Sequence, residues 1–141
     1  MLITAGAGVS LLTACTLPTS NTEPGPGAAE AAAICPSPSP AADIPDIPSG
    51  FKADELGVVT AVSKQPDFTS VVISTRASFR DAVIRMHKLV DEAGFTVLSA
   101  EDDGIDVEVF VKTPHGQGII SMAEAPCGQV MTNAELPEPP K

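Results

Sequence analysis

The sequence predicts an α+β fold: a two-layer sandwich with one amphipathic helix on an antiparallel sheet of five to six strands, in the order β-β-α-β-β-β(-β). Three observations carry this reading. Apolar residues in 78–93 recur with a period near 3.6. The runs on either side are β-branched or alternate with a period of two. The junctions between successive strands hold Pro or Gly. One helix can cover one face of an antiparallel sheet, so two layers are the simplest packing.

The first pair of strands is Gly57 to Lys64 and Thr69 to Thr75, both Val-rich, joined by Gln65-Pro66-Asp67-Phe68. The helix follows over Ser78 to Ala93. Phe79, Ala82, Val83, Met86, Leu89, Val90 and Ala93 fall on one stripe, with Arg80, Asp81, Arg85, His87, Lys88, Asp91 and Glu92 opposite. Ser78 is an N-cap with Asp81 at N3, and Gly94 supplies the residue that tolerates a left-handed backbone. Asp81 with Arg85 and Lys88 with Glu92 are i,i+4 pairs. Phe95 to Ala100 is the next strand, closed by Glu101-Asp102-Asp103-Gly104. Ile105 to Lys112 sets Ile105, Val107, Val109 and Val111 on one side and Asp106, Glu108 and Lys112 on the other. After Thr113-Pro114-His115-Gly116 the chain returns over Gln117 to Glu124. Ala125-Pro126 breaks it, and Cys127 to Asn133 is the optional sixth strand.

Ahead of this domain the composition changes. Thr16 to Ser49 holds eight prolines among Ala, Gly, Ser and Thr, a mixture with little to bury that favours an extended polyproline spacer. Before it, an uncharged apolar run from Leu2 ends in Leu12-Thr13-Ala14-Cys15. It is too short to span a membrane comfortably, and small residues precede the cysteine. This stretch resembles the lipobox of bacterial lipoprotein precursors. The family's n-region carries Lys or Arg, whereas here no Lys or Arg precedes Lys52. The resemblance implies a signal peptide at 1–14, a diacylglyceryl group on Cys15 and a tether over 15–49. A small domain at 50–136 and a frayed tail at 137–141 follow. It also implies a place on the extracytoplasmic side of the cell membrane, since two acyl chains anchor stably where one does not. The Ala/Pro-rich tether is similar to those of actinobacterial lipoproteins. Thr75-Arg76-Ala77-Ser78 opening the helix and Glu92-Ala93-Gly94-Phe95 closing it resemble a small exported domain of such lipoproteins, over Val58 to about Glu124. That resemblance brings no catalytic motif.

With Cys15 assigned to lipid, Cys35 and Cys127 remain. They are either two free thiols or, as export favours, a disulfide. The bridge would enclose nearly the whole domain, a constraint of about 4 to 5 kcal/mol in the chain-entropy account.

A net charge of −10 argues against nucleic acid and against electrostatic docking on anionic lipid. The absence of Trp and Tyr argues against an aromatic stacking platform. Glu101, Asp102, Asp103, Asp106 and Glu108 contain enough carboxylates for calcium, but their spacing is not that of an EF-hand, and Asp106 and Glu108 already fit the wet side of a strand. His87 and His115 have no ligand partner at metal spacing. No Gly-x-Ser-x-Gly marks a nucleophile, and Gly116-Gln117-Gly118 leads into a strand rather than a phosphate-binding helix. No catalytic residue, metal or cofactor is therefore assigned.

Phe110 breaks the pattern, an aromatic on the polar side of its strand. With Ile120 and Met122 it forms a candidate apolar patch for an envelope protein or an apolar ligand, unless the N-terminal arm covers it. The expected role is a non-enzymatic binding or accessory module. The alternatives are a small secreted hydrolase, the regulatory subunit of an envelope enzyme, and a purely structural spacer.

Overall fold

Strict alternation sends neighbouring side chains to opposite faces of one sheet. The computed structural model describes residues 35–141. The expected signal peptide, Cys15 and the first part of the tether lie outside the described residues. Six antiparallel strands stand in the order β1-β2-β6-β5-β4-β3. They are β1 (Val58–Lys64), β2 (Phe68–Thr75), β3 (Thr96–Asp102), β4 (Asp106–Thr113), β5 (Gly116–Ala125) and β6 (Gln129–Pro137). Helix α1 (Ala53–Leu56) is a single turn ahead of β1, and α2 (Phe79–Glu92) carries the chain from β2 to the far edge, where β3 begins. The predicted fold class and element order are those observed.

The sixth strand is central rather than optional. Val71 and Ile120 both pair with Ala134, so β6 joins the first hairpin to the meander β3-β4-β5. It starts at Gln129, not Cys127, because Cys127 sits in a tight turn with φ 67°. It also runs on to Pro137. The tail expected to fray is tied down just beyond, where Glu138 donates its N–H to Asp67 O and its carboxylate accepts from the Thr69 hydroxyl.

Helix α2 begins and ends where its capping residues dictate. Ser78 Oγ accepts the Asp81 N–H at 3.1 Å and donates to the Asp81 carboxylate at 2.7 Å. Asp81 is thus turned toward the cap, and of the two expected i,i+4 pairs only Lys88–Glu92 closes, at 3.4 Å. At the other end Gly94 adopts φ 72°, its N–H reaches Asp91 O, and the Phe95 N–H reaches Val90 O, the Schellman arrangement. That turn buries Phe95 against Phe51, ring centroids 6.3 Å apart.

One core lies between the helices and one face of the sheet. Ala82, Met86, Leu89 and Val90 of α2 meet Val71 and Ile73, Val107, Val109 and Val111, Ile120 and Met122, and Val130, Ala134 and Leu136. Phe51, Ala53 and Leu56, which precede the first strand, complete it with Val59 of β1 and Phe95. Val107, Val109 and Val111 occupy the inward side as expected, while Ile105 lies in the turn before β4 and is 66% exposed. The proline-rich segment joins this unit earlier than its composition implies. Pro48 is buried, Ile47 packs on the core, and the Ala41 N–H bonds Val59 O along the β1 edge at 2.8 Å.

Thr132 occupies an inward position of β6, and its hydroxyl is buried with no hydrogen-bond partner among the described residues. An unpaired buried hydroxyl costs about 1–3 kcal/mol, and valine has nearly the same shape. Thr132→Val is therefore expected to raise the unfolding free energy by about 1 kcal/mol, read from the urea midpoint at unchanged m-value.

Candidate functional site

Among the described residues no helix lies on the other face of the sheet. Cross-strand register arranges its side chains in rows. One row runs Ser74, Met131, Ala123, Asp106; the next runs Ala61, Val72, Asn133, Ser121, Glu108, Glu101; a third runs Ser70, Glu135, Ile119, Phe110, Ser99. Along these rows Val72, Met131 and Ile119 are half-buried and Phe110 is 38% exposed. Two shallow cavities of about 300 Å³ each open on this face. Val72, Ser121, Ala123, Met131 and Asn133 contribute to the first, and Phe68, Phe110, Ile119 and Glu135 to the second.

The register corrects the expected patch. Phe110 lies on the open face, but Ile120 and Met122 are fully buried in the core opposite Val109 and Val107. Thr113 pairs with Gly116 across a two-residue turn, so even-numbered residues of β4 face odd-numbered residues of β5. The partner of Phe110 is accordingly Ile119. Sequence reasoning missed Ile119, Val72 and Met131 as open-face residues. The signal for Ile119 was the length of that turn.

A polar ladder crosses the apolar strip. The Ser70 hydroxyl donates to Asn133 Oδ1 at 2.8 Å, and Asn133 Nδ2 donates to Glu135 Oε1 at 3.3 Å. Nearer the disulfide, the Ser74 hydroxyl donates to Gln129 Oε1 at 2.9 Å, and Gln129 Nε2 donates to Pro36 O at 3.2 Å. Each rung ties an amide or carboxylate to a neighbouring residue of the same face, or to Pro36 of the arm.

Carboxylates rim one side. Glu101 and Glu108 stand directly opposite each other on β3 and β4, with Asp106 one row away. Asp102 is turned into the hairpin, where its carboxylate accepts the Gly104 N–H at 2.8 Å. The ion pairs among the described residues are Lys52–Glu55, Lys64–Glu138 and Lys88–Glu92, so none neutralises this rim. Nor do these acids converge as the calcium reading would need: among the described residues no group of three or more His, Cys, Asp or Glu is placed to hold a metal ion. His87 and His115 are both exposed, on α2 and in the β4–β5 turn. Beside α1, the Glu55 carboxylate 3.0 Å from Lys52 Nζ raises that ammonium above its ordinary range.

Cys35 and Cys127 form a disulfide, Cα atoms 5.6 Å apart across 92 residues of sequence. It fixes the arm at the end of the sheet where β5 passes to β6. There Arg76 Nη2 donates to Pro36 O and the Ser37 hydroxyl, at 3.3 and 3.4 Å. The arm continues past Val59 on the β1 edge. Its described part therefore does not cover Phe110, whose row lies several residues along the strands from this end.

Comparison with protein-family models, curated proteins and solved structures gives no match to this chain. Among the described residues no helix is long and apolar enough to cross a membrane.

Cys127 is held in a left-handed conformation, which disfavours any residue with a Cβ. Removing the bridge with Cys35→Ala and Cys127→Ala is expected to lower stability by about 4 to 5 kcal/mol. Cys35→Ala with Cys127→Gly should recover about 0.5 to 1 kcal/mol of that loss, because glycine carries no left-handed penalty. Chemical denaturation of the three proteins side by side measures both differences.

Proposed function

We propose that this chain is a lipid-anchored, non-enzymatic binding module of a bacterial envelope, tethered through Cys15 and engaging its partner with the open face of the sheet. The observation that carries the binding role is the set of half-buried to exposed apolar side chains Val72, Met131, Ile119 and Phe110, on four neighbouring strands of a face that no helix of the described residues covers. Apolar side chains interspersed with a few fixed polar groups are the composition shared by protein and ligand docking sites. Support for the envelope setting is the lipobox-like Leu12-Thr13-Ala14-Cys15, together with a disulfide that an oxidising compartment preserves.

The test is expression with the native front end in a bacterial host. The expected product is a chain starting at Cys15 with added diacylglyceryl mass, which partitions into the detergent phase, while Cys15→Ser remains aqueous. A photo-cross-linking residue at Ile119 is expected to give a discrete adduct in the envelope fraction, and one at Arg85 on the outer side of α2 is not. A wild-type chain that stays aqueous and unmodified overturns the anchor. Equal adducts from both positions overturn the binding face.

A further inference from the structure

Resting on that binding role, we infer that the occupant of the open face is a basic amphipathic helix of a partner protein. The dimensions come first. From Ala123 to Gln117 the two cavities run along six residue steps of β5, roughly 20 Å of strand. That is the length of a helix of about 13 residues. Four strands, β2, β6, β5 and β4, contribute to the strip, a width of roughly 14 Å between the outer two, against a helix diameter of about 10–12 Å. The chain already solves this packing problem once, with α2 on the opposite face.

Charge selects among helices. Glu101, Asp106, Glu108 and Glu135 share the open face with Lys112 at one end and Arg76 at the other, where Arg76 is engaged by Pro36 and Ser37, and no ion pair among the described residues offsets the four acids. Glu101 directly opposite Glu108 is an arrangement that weakens a sheet unless something positive joins it. A partner with Leu-like residues on one stripe and Lys or Arg beside them would satisfy both the apolar strip and the rim. Other occupants fail on the same ground. A second copy would bring a face of the same net negative charge and supply no surplus of cations. Residues 1–34 carry Glu23 and Glu30 and no Lys, Arg or His, so the chain's own leader and tether offer no complement. An anionic lipid surface is repelled.

The probe is a 14-residue Leu/Lys peptide with helical spacing, beside its Leu/Glu twin, titrated into the full ¹⁵N-labelled chain in neutral-detergent micelles. The Leu/Lys peptide is expected to shift the amides of Val72, Glu108, Ile119 and Met131 and to leave Arg85 and Lys88 in place. Asp106→Lys with Glu108→Lys should weaken binding by about tenfold or more at low salt, and Glu108→Gln alone by less. Circular dichroism and disulfide mass report whether these surface variants fold. If the Leu/Glu twin binds this face equally, or the charge reversals leave affinity unchanged, the basic partner is overturned while the binding face stands. If the peptides shift only the helix side, both fall.

Discussion

A six-stranded sheet presents two faces, and among the described residues one helix is long enough to cover one of them. Everything else about the domain follows from that imbalance. The covered face takes the valines of β4, the inward residues of β2, β5 and β6, and the stripe of α2 into a single core. The uncovered face must remain compatible with water, and it does so by mixing. Ser70, Asn133 and Glu135 form a hydrogen-bonded ladder among Val72, Ile119 and Met131 instead of a continuous oily surface. A sheet face of this composition offers polar groups to water and still retains apolar area to lose on docking.

The same imbalance explains which parts of the structure were legible in the sequence. Helix α2 was readable to within a residue because Ser78, Asp81 and Gly94 set its ends by local hydrogen bonds that need no tertiary context. The β4 alternation was equally plain, since Val107, Val109 and Val111 all point to one layer. What failed was information that lies between strands. Ile120 and Met122 look as suited to a surface patch as to a core until the Thr113–Gly116 pairing sets the parity of the hairpin. Strand β6 was underrated because its buried positions are Val130, Thr132, Ala134 and Leu136, only two of them bulky hydrocarbons. Its central place comes from its neighbours. Helix α1 has four residues, below the length at which periodicity carries a signal.

The edges of the sheet show how an open face is kept from uncontrolled pairing. The β1 edge meets the arm through Ala41, and a register shift between Val59 and Ala61 twists it. The β3 edge is fully exposed and carries Val97 and Leu98, but it too is bulged at Leu98 and ends in Glu101 and Asp102. Bulges and charge are the usual means of discouraging edge-to-edge association. The acids of the hairpin therefore act twice, protecting an edge and rimming a face.

The disulfide links this geometry to the proposed anchor. Composition alone assigns the tether everything up to Ser49. The bridge ends it at Cys35, because Pro36, Ala41, Ile47 and Pro48 all engage the folded unit. Twenty residue steps then separate Cys15 from the domain. In polyproline form they reach about 60 Å, against about 105 Å for a spacer running to Ser49. The tether enters at the turn between β5 and β6, where the backbone is held in a left-handed conformation by Cys127 and Gly128. Pull along a membrane tether would thus be delivered to the covalent bridge and the two central strands. The open face lies on those same strands, so a partner docked there would bear on the part of the sheet with a neighbour on each side.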